Sequence, residues 1–230
     1  MRKFGWFIFF VCGLSFLVQA QNRNLKEVDS LYKEDQFYAG ITYNLLGHKP
    51  IDLSQSGFSL GFHLGFIKDM PINKKRNVAF GLGVGYSANS FNQNLLINKS
   101  DNTINYSLIS DVSTFTKNKF SSHLLEIPFE FRWRTSNASD YNFWRIYVGF
   151  KAGYILAHNS KYKGDLGSVK LTDIEGFNDF QYGLTLSVGY NTWNLFMYYG
   201  LNPIFSEKVV LNNDKIDINA IKIGLMFYIL

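Results

Sequence analysis

Cysteine is nearly absent from this chain of 230 residues, because Cys12 is the only one. Cys12 lies inside an apolar run that is predicted to be removed, so we expect the mature chain to have no thiol and no disulfide. The four histidines lie on separate segments without the spacing of metal ligands. We therefore predict no metal site and no bound cofactor, and we identify no set of catalytic residues.

Strong charge of one sign is also missing. Loss of Arg2 and Lys3 with the apolar run lowers the formal net charge from +5 to +3, and the only cluster of basic residues is Lys74–Arg76. This balance is too slight to indicate binding to nucleic acid.

The chain divides into three segments. Two basic residues precede an apolar run at 4–18, and the small residues Val18 and Ala20 then mark a cleavage site before Gln21. This pattern predicts a signal peptide over residues 1–20 rather than an uncleaved anchor helix, for which the run is short. We interpret the polar residues 21–35 as a periplasmic N-terminal segment and residues 36–230 as the folded domain.

The stretch from His123 to Arg134 alternates strictly between apolar and polar side chains, and its polar positions carry four charges. A period of two predicts a β-strand, because successive side chains point to opposite faces. Soluble barrels turn the apolar face of such a strand inward, whereas outer-membrane barrels turn it toward lipid.

Neighbouring segments indicate which face is inside. Between Val78 and Ser87, bulky residues alternate with Ala, Gly and Ser, and residues 58–66 repeat much of this pattern. Water tolerates long charged side chains, whereas a narrow lumen requires small ones. The small face therefore predicts a cramped interior, which favours a membrane barrel over a lipocalin-like soluble barrel.

The predicted fold class is all-β: a closed, eight-stranded antiparallel up-and-down transmembrane β-barrel with long external loops and short periplasmic turns. Each predicted strand has about the ten residues that a tilted strand needs to cross a bilayer. The eight segments lie near residues 36–46, 57–67, 77–88, 121–134, 142–156, 177–190, 192–202 and 218–230.

Two stretches need separate interpretation. Residues 180–206 carry no charge, but their apolar residues recur at period two, which favours strands over a transmembrane helix. Pro128 falls in the middle of a predicted strand, where its missing N–H predicts a bulge or a local bend.

Alternation assigns ionisable side chains to the interior, where isolated charges are costly and should pair. This predicts a lumen plugged by ion pairs, with a small porin-like channel as the alternative. The predicted lumen charge cluster comprises His63, Glu126, Glu130, Arg132, Arg145, Lys151, Asp179 and Lys222.

Several aromatic residues lie beside the predicted short turns, at strand positions that are predicted to face lipid. Amphipathic rings favour the headgroup level, so these positions predict a periplasmic aromatic girdle. The girdle comprises Trp133, Trp144, Tyr190, Trp193 and Phe227.

Two predicted external loops, 89–120 and 203–217, mix polar and apolar residues. Because binding functions often lie on loops of a rigid scaffold, we interpret them as the surface for secretion-machinery or other surface proteins. Outer-membrane lipid is the other expected partner.

The sequence gives only a weak indication of catalytic activity. His158 and Ser160 stand at the outer rim on the predicted lipid-facing parity, the arrangement of an outer-membrane lipid A deacylase. The only carboxylates that could orient the histidine are the distant Asp173 and Glu175. A lipid A-modifying enzyme is therefore kept as an alternative, and we predict that the protein is not an enzyme.

The segment from His123 to Arg132, with its Leu-Glu-Ile-Pro core, resembles the signature strand of the PorT-like outer-membrane β-barrel family of Bacteroidetes. Residues 37–43, 79–86 and 223–230 also resemble that family, which is similar to small barrels of the OmpX and OmpA type. The resemblance implies an integral outer-membrane protein with a structural or interaction role, accessory to type IX secretion or gliding. It identifies no catalytic residue.

Overall fold

The computed structural model describes residues 33–100, 103–135, 143–211 and 214–229, and these belong to a single compact unit. The predicted signal peptide, residues 1–20, and residues 21–32 of the predicted N-terminal segment lie outside the described residues. Within the described ranges, no helix is long and apolar enough to cross a membrane.

The described residues form thirteen strands and one short 3-10 turn at Val112–Thr114. The strands are β1 (Gln36–Gly47), β2 (Leu60–Pro71), β3 (Val78–Asn92), β4 (Leu95–Ser100), β5 (Thr103–Leu108), β6 (Phe115–Arg134), β7 (Trp144–Gly164), β8 (Gly167–Thr172), β9 (Phe180–Tyr190), β10 (Trp193–Gly200), β11 (Val210–Leu211), β12 (Asp214–Lys215) and β13 (Asn219–Ile229).

Eight of these strands close into a barrel, in the order β1, β2, β3, β6, β7, β9, β10 and β13. Every neighbouring pair is antiparallel, and β13 pairs back with β1, where Gly40 lies opposite Met226. The predicted fold class is therefore confirmed. The chargeless stretch that could have been a helix forms β9 and β10.

The two faces of the barrel differ as the alternation predicts. Leu64 and Val84 are 56% and 52% exposed on the outer surface. The small residues that alternate with these bulky ones face the interior and leave space there for large side chains. At Gly65, for example, an added Cβ would lie 2.6 Å from the ring of Tyr38. Bulky apolar groups thus face outward, which is the arrangement of a barrel surrounded by lipid.

Short connections lie at one end of the barrel. β9 and β10 are joined by Asn191 and Thr192 alone, and Asn191 has a positive φ of 54°, which asparagine tolerates in tight hairpins. Residues 72–77 join β2 to β3 at the same end. In outer-membrane barrels this end faces the periplasm.

At the opposite end the predicted long loops are folded. β6 and β7 run on for 20 and 21 residues, β8 pairs with the extension of β7, and β4 and β5 form a hairpin. Apolar side chains of residues 89–120 and 203–217, the predicted interaction surface, pack against each other and against Ile174 and Phe177. We call this buried group the outer cap; it includes Phe91, Leu95, Ile97, Phe120, Ile174, Phe177, Ile204, Phe205, Val209 and Leu211.

Of the two predictions for Pro128, the bulge is wrong, and the local bend stays a prediction. Pro128 pairs with Lys151 of β7, and the irregularity lies where His123 faces Ala157 while Leu124 faces Ile155. The pairing of β6 with β3 is interrupted at Ile127 and Pro128 and resumes in the same register, so the missing N–H leaves a gap in that ladder rather than an extra residue.

The irregularity between His123 and Leu124 is a β-bulge in β7, and it reverses which side chains of β7 face the interior. Leu156 is the extra residue, so the inward positions of β7 change from odd numbers below it to even numbers above it. Ser160 is consequently buried, and the prediction that it lies on the lipid-facing side is wrong.

Candidate functional site

The barrel interior near the short-turn end holds a compact ion-pair cluster. Arg134 and Asp69 are joined at two points, with both nitrogen–oxygen distances 2.8 Å. Arg132 donates to the same carboxylate of Asp69 at 3.0 Å and to Glu130 at 3.1 Å. Both guanidinium groups are fully buried, so each bond is made without competition from water. We call these four residues the mouth cluster.

The chain enters the barrel through this cluster. Arg132 also donates to the side chain of Gln36 at 2.8 Å and to the carbonyl of Glu34 at 3.3 Å. The Glu34 carboxylate lies 3.7 Å from Arg134, and Asp35 accepts a 2.7 Å bond from the backbone N–H of Asp69. Burial raises the pKa of Glu34, although Arg134 acts in the opposite direction. The residues that precede β1 are therefore part of the closure at this end.

A second ionic group lies deeper in the barrel around Glu126. One oxygen of Glu126 is 2.9 Å from the Lys151 ammonium, and the other accepts a 2.7 Å bond from the Ser87 hydroxyl. His63 approaches the same carboxylate, with Nδ1 3.7 Å from Oε2. The carboxylate thus sits between a cation, a hydroxyl and an imidazole, and its negative charge is compensated.

Polar side chains continue this network toward the outer cap. The hydroxyl of Thr42 donates to Asn44 at 2.9 Å and lies 3.1 Å from Nε2 of His63. Asn89 donates to Ser87 at 3.0 Å. These side chains are therefore hydrogen-bonded to one another along this part of the interior.

The other interior cations lie over aromatic rings. The Lys222 ammonium is 4.8 Å from the centre of the Tyr198 ring, and the Arg145 guanidinium is 4.4 Å from that of Phe143. Arg132 likewise stacks 4.5 Å from Tyr147. Ring quadrupoles stabilise buried cations, so these positions add to the ionic compensation.

Seven of the eight side chains predicted for the lumen are buried in the barrel interior. The prediction for Asp179 is wrong, because this residue is exposed at a bend just before β9 begins. Its carbonyl accepts a 2.8 Å bond from the N–H of Ile155, which fixes the backbone while the side chain faces solvent. The seven buried residues are His63, Glu126, Glu130, Arg132, Arg145, Lys151 and Lys222.

The sequence analysis missed three charged residues of the barrel end. Glu34, Asp69 and Arg134 lie just beyond, or at the limit of, the predicted strands, yet each continues the inward parity of its neighbours. Extending the alternation past the predicted strand ends would have found Glu34 and Asp69, whereas Arg134 already lay on the polar face of its predicted strand.

The aromatic residues of the predicted girdle lie on the outer surface beside the short connections. The ring centres of Trp144 and Tyr190 are 5.5 Å apart, and those of Trp193 and Phe227 are 4.9 Å apart. Trp133 is 38% exposed at the end of β6. That these rings mark the headgroup level remains a prediction.

His158 and Ser160 are not arranged for nucleophilic catalysis. Nδ1 of His158 accepts a 3.0 Å bond from the N–H of Ile174, and the ring stacks 4.6 Å from Phe177. The neutral ring therefore carries its proton on Nε2 and has no free nitrogen to accept the Ser160 proton. His158 lines a surface cavity of about 530 Å³ to which Ser160 does not contribute. Burial lowers the pKa of His158, while Asp173 and Asp179 act in the opposite direction.

Among the described residues, no group of three or more His, Cys, Asp or Glu side chains is placed to hold a metal ion.

The chain is similar to known outer-membrane barrels. A family model described as outer membrane protein beta-barrel domain matches residues 19–206. Two crystal structures of Ail, the attachment invasion locus protein of Yersinia pestis, are similar at 12% identity and a TM-score of 0.38, covering 86% of this chain and 99% of Ail. One of them is a complex with the heparin analogue sucrose octasulfate. A mutant of the Rh. blastica porin is similar at 9% identity and a TM-score of 0.20, covering 86% of this chain and 100% of the porin. No curated protein sequence matches the chain.

Proposed function

The chain belongs to the outer membrane protein beta-barrel domain family, and from this premise we propose that it is a non-conducting barrel that serves as an accessory of type IX secretion or gliding. It is an outer-membrane β-barrel protein. Its proposed role is to hold a folded surface at the cell exterior for partner proteins, rather than to pass solutes or to catalyse a reaction.

The observation that carries this proposal is the closure of the barrel at two levels. At the short-turn end, two arginines and their carboxylates occupy the interior, and at the other end the aromatic residues of the outer cap pack together. Phe120 is 5.5 Å from Phe205 and 5.7 Å from Phe177 between ring centres. An eight-stranded barrel has an interior that its own side chains just fill, which argues against the porin-like channel.

The link to secretion comes from the resemblance to PorT-like barrels. Its most specific part is Leu125-Glu126-Ile127-Pro128, and the structure gives that motif a role inside the barrel. Leu125 and Ile127 face outward, while Glu126 holds Lys151 and Ser87. The motif thus places two side chains on the outer surface and one in the central ion pair, and the proposed link to PorT-like barrels rests on the sequence resemblance.

Export through a cleaved signal peptide at residues 1–20 completes the proposal. The periplasmic segment then begins at Gln21, and its last residues insert at the mouth cluster through Glu34 and Asp35. Mass spectrometry of the protein purified from outer membranes tests this by locating its first residue.

Deletion of the gene in the native host tests the secretion role. We expect cargo of the type IX pathway to accumulate in the periplasm and to reappear outside the cell when the wild-type gene is restored. Normal secretion in the deletion strain would remove the secretion role while leaving the barrel assignment intact.

Planar-bilayer recording tests the non-conducting barrel separately. We expect the purified protein to insert without stepwise conductance. Reproducible single-channel steps would support the small channel instead.

A further inference from the structure

The extensions of β6 and β7 above the bulge, together with β8, form a three-stranded outer wall that carries lysines on one side. The strand residues 115–122, 159–164 and 167–172 contain no Asp or Glu, and the turn between β7 and β8 carries one acid, Asp165. The side chains on the opposite parity, such as Phe120 and Tyr162, are buried in the cap. We call the outward-facing group the lysine face; it comprises Lys117, Lys119, Lys161, Lys163 and Lys170.

The strand register brings these lysines directly opposite one another. Lys117 pairs with Lys163, Lys119 with Lys161, and Lys161 with Lys170. Like charges in directly opposed positions destabilise a sheet. Within the described residues, none of the five has a carboxylate oxygen within 4.0 Å, although the chain pairs Lys151 and Lys215 with acids elsewhere. The fold therefore maintains a repulsive cluster that the rest of the described chain does not compensate.

Two features of Lys119 underline this repulsion. It is half-buried beside its neighbours, and both burial and the charges of Lys117 and Lys161 lower its pKa. A lysine on a sheet edge can also serve to prevent edge pairing. That explanation covers Lys170 on the edge strand β8 and Lys117, which lies beyond the last residue of β6 that pairs with β3. It does not cover Lys119, Lys161 and Lys163, which have strand partners on both sides.

The distance of the lysine face from the apolar band of the barrel indicates which part of the membrane it contacts. Trp133 and His123 both point outward on β6, ten residues apart. At about 3.3 Å per residue and a tilt of roughly 40°, that spacing rises about 25 Å, the height of the apolar band of a membrane barrel. His123 is hydrogen-bonded to Tyr86 at 2.5 Å, an amphipathic pair suited to the upper boundary. Lys119 lies four residues further along, about 10 Å higher, at the level of the lipid headgroups.

We propose that the lysine face binds the phosphate groups of the glycolipid in the outer leaflet of the outer membrane. Lysine ammonium groups act as point charges for phosphate, and several of them can share a headgroup that carries more than one phosphate. The bound lipid supplies the negative charge that the described chain does not provide. This inference requires only the outer-membrane placement and is independent of a role in secretion.

Lysine labelling tests the proposal on the wild-type protein. The barrel is reconstituted in vesicles containing diphosphorylated lipid A, dephosphorylated lipid A or neither, and is then treated with an amine-reactive reagent. Mass spectrometry reads modification at each lysine. We expect phosphorylated lipid A to protect the lysine face selectively, with Lys49 and Lys208 as unprotected controls on other outer segments. Equal labelling with the two forms of lipid A would overturn the proposal.

A soluble polyanion distinguishes the source of the phosphate. Inositol hexaphosphate at the same phosphate concentration should protect the lysine face far less than lipid A, because it is not held at the headgroup level. Protection as strong as that from lipid A would replace the lipid with a soluble polyanion as the ligand. Protection by lipid A should weaken as salt is raised, because the attraction is electrostatic.

Matched variants separate binding from folding. The test variant carries Lys117→Gln, Lys119→Gln, Lys161→Gln and Lys163→Gln. Its control removes the same charge from other outer segments through Lys49→Gln, Lys99→Gln, Lys208→Gln and Lys215→Gln.

In vesicles without glycolipid, the test variant should unfold at a higher temperature than wild type, because the repulsion between opposed lysines is relieved. Its affinity for lipid A should fall roughly fivefold per lysine removed, whereas the control should retain most of its affinity. Equal loss in the two variants would mean that net charge, not this face, determines binding, and would overturn the proposal.

Discussion

Arg134 and Asp69 form a fully buried ion pair at the short-turn end of the barrel, with two parallel nitrogen–oxygen contacts of 2.8 Å each. Arg134 lies on β6 and Asp69 on β2, so the pair ties together strands on either side of β3. The same carboxylate also accepts a bond from Arg132. Asp69 is therefore the point at which the barrel end is held closed.

Replacing Arg134 should be costly. Arg134→Ala leaves Asp69 buried with one of its two arginines, and breaking a buried pair in this way costs about 3–5 kcal/mol. Urea unfolding of the barrel in detergent micelles measures the change in free energy. Lys215→Ala is the control, because its pair with Glu207 is largely exposed and should contribute little. Similar midpoints for the two variants would show that the mouth cluster does not hold the barrel closed.

Removing one member of the Glu126–Lys151 pair should destabilise the barrel, and removing the second member as well should restore part of its stability. Glu126→Gln leaves the Lys151 ammonium buried without its nearest carboxylate and should destabilise the barrel by about 3–5 kcal/mol. Adding Lys151→Met removes the unpaired charge and should recover part of that loss. A double-mutant cycle on the unfolding free energies measures the coupling between the two residues. Additive effects would mean that the pair contributes nothing beyond its separate members.

Strand positions were predictable because a membrane barrel imposes strict alternation. The bilayer requires bulky apolar groups at every second position, and the narrow interior requires small or paired groups between them. Leu125, Ile127 and Phe129 satisfy the first requirement, and Gly81 and Gly85 satisfy the second. Closure follows from the same constraint, because an open sheet edge in hydrocarbon would leave backbone groups without partners.

The outer end was less predictable because its order depends on contacts distant in sequence. The bulge at Leu156 reverses the parity of β7, and it can be recognised only from the pairing with β6. The apolar residues of the predicted loops carry no regular period, so the sequence did not show that Phe120 and Phe205 would meet each other and Phe177, which lay in a predicted strand. Glu34 was missed because the first predicted strand began at residue 36, so its alternation was not extended to Glu34.

His158 predicts a pH dependence at the outer surface. Its folded-state pKa is lowered from the ordinary value of 6.5, chiefly by burial, so the unfolded segment binds a proton more readily than the folded one. Stability of this segment is therefore complete above the unfolded pKa and decreases as pH falls below about 6.5. Protonation of Nδ1 also abolishes its hydrogen bond from the N–H of Ile174.

Limited proteolysis at pH 5 and pH 7.5 checks this. Cleavage within residues 173–179 of the wild-type protein should be faster at the lower pH, after correction for protease activity. In His158→Gln, which cannot take up a proton, the rates should be equal at the two pH values. A difference that persists in this variant would show that protonation of His158 is not its cause.

The three tryptophans of the predicted girdle provide a test of the bilayer position itself. Trp133, Trp144 and Trp193 are all partly exposed at the short-turn end of the outer surface. If this end lies at the periplasmic headgroup level, lipids brominated near the headgroup should quench their fluorescence more than lipids brominated near the chain terminus. Each tryptophan can be read alone by replacing the other two with Phe, which retains an apolar ring. Stronger quenching from the chain terminus would place the rings near the bilayer centre. The apolar band would then not begin at Trp133, and the headgroup height inferred for Lys119 would be lost with it.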